Sequence, residues 1–135
     1  MDRRTFVMTS AWVAAAGYLP QRLAVALERP GTLVLADASL AASRAFADAA
    51  ARRAVPLVEV GDDIGMLWNA TLAPYLACTN AVLAGVLRAS DAFVLRQLAV
   101  SANCRVRHAS TLRTAHAPAV VAVVIDHEPQ PHQAA

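Results

Sequence analysis

The chain has 135 residues, 57% of them apolar, with twelve Arg, no Lys and ten acidic residues for a formal net charge of +2. That length suffices for one domain and is too short for two, and a domain of this size can bury a core without a disulfide framework. The near balance of charge, with no clustered basic stripe, removes the electrostatic footprint of a nucleic-acid binder, while few charges near neutrality leave a surface that resists association poorly.

The first 26 residues read as an address. Arg3, Arg4 and Phe6 open the chain, and residues 7–19 form an apolar run softened by Thr9, Ser10 and Gly17. Pro20 and Arg22 follow, then Ala24-Val25-Ala26, a small-x-small tripeptide of the kind signal peptidases cut after. A permanent membrane span needs about 20 apolar residues, so none is expected here. This order of features resembles a twin-arginine export signal, in which two arginines precede a Phe and an apolar residue. Asp2, Val7 and Met8 depart from the commonest form of that pattern. The resemblance is confined to residues 1–26. It implies passage through the twin-arginine translocase after folding, a periplasmic destination and cleavage between Ala26 and Leu27. The remainder would then carry nine Arg against nine acidic residues and no net charge.

Behind this segment a single domain is expected over residues 27–126, and a disordered tail over 127–135, where Pro129 and Pro131 interrupt a polar stretch. Residues 32–36 predict a first strand. Residues 39–54 predict a helix capped by Asp37 or Ser39, with Ala42, Phe46, Ala49 and Ala50 inward and Arg44, Asp48 and Arg52 on a solvated ladder. Residues 56–60 predict a second strand, opened by Pro56. Asp62 is expected to cap an irregular helix carrying Ile64, Leu67, Trp68, Leu72 and Tyr75, broken before Pro74. Residues 81–86 predict a third strand, and Ser90 caps a helix running to about residue 103 with Leu95, Leu98, Ala99 and Ala102 inward. Residues 105–108 and 119–125 predict the last two strands.

Strands separated by helices imply a parallel sheet. The last two strands are too close in sequence for a parallel crossover, so the fifth is expected to return antiparallel. The fourth alternates Arg with apolar residues and belongs near an edge; the apolar fifth would make an adhesive edge if uncovered. The expected fold is a small three-layer, Rossmann-like α/β domain with a mostly parallel mixed sheet of about five strands.

In such sheets ligands bind beyond the carboxyl ends of the strands. The candidate ligand-binding residues there are Asp37, Asp62, Asp63, Arg88 and His108. The competing use of Asp37, Ser39, Asp62 and Ser90 is simple helix capping. No dinucleotide fingerprint, P-loop or nucleophile elbow occurs, and the four His lack metal-ligand spacing, so neither cofactor nor metal is expected. Cys78 and Cys104 precede the third and fourth strands. They could bridge if those strands are neighbours, or remain free thiols. Trp68 and Tyr75 could anchor a partner or pack in the core. The functional expectation is a non-catalytic accessory subunit of a larger co-exported enzyme, redox enzymes included. The alternatives are a small periplasmic enzyme or ligand binder using the strand rim, and a vestigial or regulatory domain.

Overall fold

The computed structural model describes residues 20–78, 80–114 and 117–127. Arg3, Arg4 and Phe6, on which the expected export signal rests, and the expected tail beyond His127 lie outside them. In chain order the elements are α1 (Gln21–Glu28), β1 (Thr32–Ala36), α2 (Ala41–Arg52), β2 (Leu57–Glu59), α3 (Ile64–Leu67), a π-helical turn (Trp68–Leu72), α4 (Ala73–Leu76), β3 (Val82–Arg88), α5 (Ala89–Ser101), β4 (Cys104–Thr114) and β5 (Ala117–His127).

These strands form one five-stranded sheet in the order β2-β1-β3-β5-β4. β1 runs parallel to β2 and β3, whereas β5 runs antiparallel to both β3 and β4. The sheet is therefore evenly mixed rather than mostly parallel, because β4 and β5 form an antiparallel pair and β5 inserts between β3 and β4. β4 lies at the edge, where its alternation of Arg with apolar residues predicts it, and β5, which would be adhesive if uncovered, is interior. Val120–Ile125 is apolar at every position because both faces of β5 are covered, which is what a central strand requires.

Alternate residues along each strand feed two cores. On one face Leu83, Leu87, Val123 and Ile125 pack with Ile64, Trp68, Leu72 and Leu76 and with Leu95 and Ala99 of α5. On the other, Val34, Val82, Ala84 and Val124 pack with Phe46 and Ala50 of α2 and with Leu23, Ala26 and Leu27 of α1. Crossovers between parallel strands are right-handed, so the leftward step β1-α2-β2 and the rightward steps to β3 and β4 put their helices on opposite faces.

α1 was not expected as part of the domain. Its Leu23, Ala26 and Leu27 fall at i, i+3 and i+4, and all three are buried. Thr32 Oγ1, itself buried, donates to the Ala26 carbonyl at 2.6 Å. The expected cut after Ala26 thus falls inside a packed helix, and Ala24 and Ala26 belong to its turns.

The middle helix does not break before Pro74. Pro74 has no N–H for an i−4 bond, and the chain accommodates this by widening one turn, in which the Ala73 N–H donates to the Trp68 carbonyl. Trp68 is buried, and the Tyr75 hydroxyl donates to the Gly31 carbonyl at 2.6 Å, so both serve internal packing rather than a partner. Gly31 has φ +88°, and a Cβ there would collide with the Asn80 carbonyl oxygen. Gly85 lies opposite Leu35 where β1 and β3 approach closely. β4 continues past the expected His108 to Thr114, because Ser110, Thr111 and Thr114 pair with β5 instead of forming a loop.

Candidate functional site

The chain leaves β1 in one direction to reach β2 and returns past it to reach β3, so the topological switch point lies between the carboxyl ends of β1 and β3. Asp37 and Arg88 meet there. Asp37 is 3% exposed, and its Oδ1 accepts from Ser39 N–H at 3.0 Å and from Ser39 Oγ at 2.6 Å. Arg88 Nη2 lies 3.4 Å from Asp37 Oδ2, and its Nε lies 3.4 Å from Asp91 Oδ2. The Asp37 N–H donates to the buried Ser43 hydroxyl at 2.8 Å, and Glu59 accepts from the Ala38 N–H at 2.7 Å.

Burial by itself would raise the Asp37 carboxyl. The Ser39 hydrogen bonds and the Arg88 guanidinium outweigh it and hold the pKa below 3.8. Burial pushes Asp91 the other way, above 3.8, with Arg88 opposing and Asp37 adding to the rise.

Capping accounts for Asp63 but not for Asp37, Ser39, Asp62 or Ser90. The helix after β1 is entered through Leu40, with no side-chain cap, and Asp37 instead closes a turn on Ser39. Asp63, not Asp62, caps α3 by accepting from the Met66 N–H at 3.0 Å. Ser90 lies inside α5, whose N-cap position is Arg88. Asp62 and Asp63 sit on the exposed loop after β2. Of the five candidates, only Asp37 and Arg88 are in contact.

His108 lies apart, midway along β4, and belongs to a second cluster. Between Val106 and His108 the register slips by one residue, a bulge at Arg107. Consecutive strand residues ordinarily face opposite ways, and a bulge re-aims one of them. Arg107 and His108 accordingly line the same pocket, of about 190 Å³, with Arg22, Val25, Ala26 and Arg29 of the α1 segment and Val124 of β5. Beside it Asp126, 3% exposed, takes Arg107 Nε at 2.7 Å and Arg29 Nη1 at 3.5 Å on its Oδ2. Its Oδ1 is buried with no hydrogen-bond partner. This cluster escaped the sequence reading because two of its Arg flank the expected cleavage site. A usable signal was present: an acid directly after the apolar run of β5 demands a cationic partner once buried.

Burial, and then the Arg22 charge, depress the His108 pKa below 6.5, and Ser110 Oγ sits 3.0 Å from its Nε2. Folding therefore favours the neutral imidazole. The stability this contributes is complete above 6.5 and is lost as pH falls from there through the lower folded value. The expected result is a His108 imidazole that titrates below 6.5 by NMR and moves upward in Arg22→Gln; an unmoved titration would separate Arg22 from His108.

Cys78 and Cys104 are both free. β5 intervenes between β3 and β4, which removes the adjacency that bridging required. Burial and the nearby Asp126 raise the Cys104 thiol, which disfavours the nucleophilic thiolate. Among the described residues no group of three His, Cys, Asp or Glu is placed to hold a metal ion, and no helix is long and apolar enough to cross a membrane. Comparison with known protein families, curated proteins and solved structures gives no match for this chain.

Proposed function

We propose that this protein is a non-catalytic accessory subunit, exported to the periplasm by the twin-arginine route with a larger enzyme, and that it docks through the outward face of α5. The observation that carries this reading is the pair Phe93 and Val100, each 60% exposed on a helix whose opposite side supplies Ala92, Leu95 and Ala99 to the core. A helix apolar on both sides ordinarily has both sides covered, and an aromatic ring of this exposure is the kind of side chain that anchors an interface.

Co-expression with the product of an adjacent gene is expected to yield a stable complex that Phe93→Asp with Val100→Asp weakens at least about tenfold. Both side chains are largely solvated, so the free protein should keep its thermal transition. A monodisperse monomer that binds none of the neighbouring products, or a complex indifferent to the double substitution, would remove the proposal. Export is tested separately with a reporter fused behind the chain and both Arg3 and Arg4 changed to Lys: retention inside the cell supports the twin-arginine route, and unchanged export removes it. A chain exported folded already has α1 closed on the sheet, so on this reading any cut falls ahead of α1 rather than after Ala26.

A second reading is favoured by the Asp37–Arg88 pair at the switch point: a ligand-binding rim at the carboxyl ends of β1 and β3. It calls for stabilisation by a small metabolite that Asp37→Asn abolishes.

A further inference from the structure

The pocket between α1 and the β4–β5 hairpin differs in character from both surfaces above. It is lined by three guanidinium side chains, Arg22, Arg29 and Arg107, by the half-buried imidazole of His108, and by the apolar Val25, Ala26 and Val124. No carboxylate is among the described residues that line it. Asp126 stands behind the wall and is shared between Arg29 and Arg107, so one negative charge holds two positive ones in place. Arg22, about two turns before Arg29 along the α1 segment, depresses His108, and among the described residues no acid pairs with it. Among the described residues that line or back the pocket, three guanidinium groups stand with the single carboxylate of Asp126.

Such an arrangement asks for an anion. Arginine forks match the oxygens of phosphate and carboxylate geometrically, and a fork already oriented by a buried partner loses less freedom on binding. The bulge at Arg107 has the same sense, since it places two successive polar side chains on one wall of an edge strand. The volume of about 190 Å³ falls below the roughly 300–1,000 Å³ of pockets that take drug-sized ligands, so the occupant is compact.

We propose that the pocket formed by Arg22, Arg29, Arg107 and His108 binds a compact divalent oxyanion, with inorganic phosphate its nearest simple representative. Asp126 acts as the positioning residue for two of the three guanidinium groups. The site is complete only in a chain that retains α1, because Arg22 and Arg29 enter from that side.

The experiment is isothermal titration of the full chain with phosphate, sulfate, malonate and acetate at low salt, repeated on Arg22→Gln, Arg22→Glu, Arg29→Gln and, as a control, Arg96→Gln on α5 across the sheet. Phosphate is expected to bind with 1:1 stoichiometry and more tightly than acetate. Arg22→Gln should weaken it by about tenfold, the scale of one charge-assisted contact, and Arg22→Glu by more. Arg29→Gln is expected to weaken it as well, and Arg96→Gln to leave it unchanged. Circular dichroism of each variant without anion guards against misfolding; Arg22 is exposed, so its variants should melt as the parent does. Absence of binding by any of the anions up to about 10 mM, far weaker than a millimolar Kd, overturns the proposal. So does acetate binding as tightly as phosphate, or equal affinity in Arg22→Glu and the parent. Preference among phosphate, sulfate and malonate assigns the chemistry of the natural occupant.

Discussion

A chain begun at Leu27 is expected to lose its cooperative thermal transition, whereas a chain begun at Pro20 keeps it. The shorter chain lacks Leu23 and Ala26, both buried against Val34, Val82, Ala84 and Val124. Loss of one fully buried Leu side chain costs about 2–5 kcal/mol. Thr32 also loses the acceptor of its buried hydrogen bond, which adds about 1–3 kcal/mol. Freshly exposed faces of β3 and β5 enlarge the loss. The total is comparable to the whole stability of a typical domain, about 5–15 kcal/mol. Calorimetry and near-ultraviolet circular dichroism on the two chains decide the matter. A sharp transition in the chain begun at Leu27 would make α1 dispensable and restore Ala26–Leu27 as an admissible domain boundary.

Gly85→Ala should lower stability by about 3 kcal/mol, at the upper end of what overpacking costs. The added Cβ would sit 2.8 Å from the Leu35 carbonyl oxygen and 2.9 Å from the Leu35 Cβ. Both belong to β1 in the middle of the sheet, where Leu35 and Gly85 are register partners, so relief requires the two strands to part. Gly61→Ala is the internal control: nothing lies within 4 Å of its added Cβ, and its effect should stay within about 0.5 kcal/mol. For a domain near 100 residues the difference between the two amounts to more than about 10 °C in Tm. Equal melting of the two variants would refute the close approach of β1 and β3.

Elements with one dominant period were legible in the sequence. β1 has its expected bounds, and α2 and α5 lie within two residues of theirs at each end, because apolar spacing and burial coincide there. The antiparallel return of β5 followed from the length of the connection. Strand order did not, since the continuous apolar run 120–125 fits an exposed adhesive edge and an interior strand alike until its neighbours are known. The extension of β4 was hidden by polar β-branched residues, which suit an edge strand as well as a loop. α1 was obscured by a competing meaning: the same small residues that resemble a cleavage motif let the helix lie close on the sheet. For the rim, the placement of Asp37 and Arg88 followed from their positions after β1 and β3, but their contact depends on β1 and β3 being neighbours. His108 belongs to that rim only if β4 ends beside it, and β4 runs on to Thr114. The pocket around it needed a bulge, which leaves no mark in composition.

The insertion of β5 between β3 and β4 also orders events during synthesis. Until residue 127 has left the ribosome, β3 has an unpaired flank and β4 has no strand beside it. From the emergence of β3 until β5 follows it, a nascent chain therefore carries an open hydrogen-bonding margin, lined with Val and Leu. Chaperone capture or self-association would be concentrated in that interval, and a pause imposed after β3 has emerged and before β5 has should raise aggregation more than a pause imposed later.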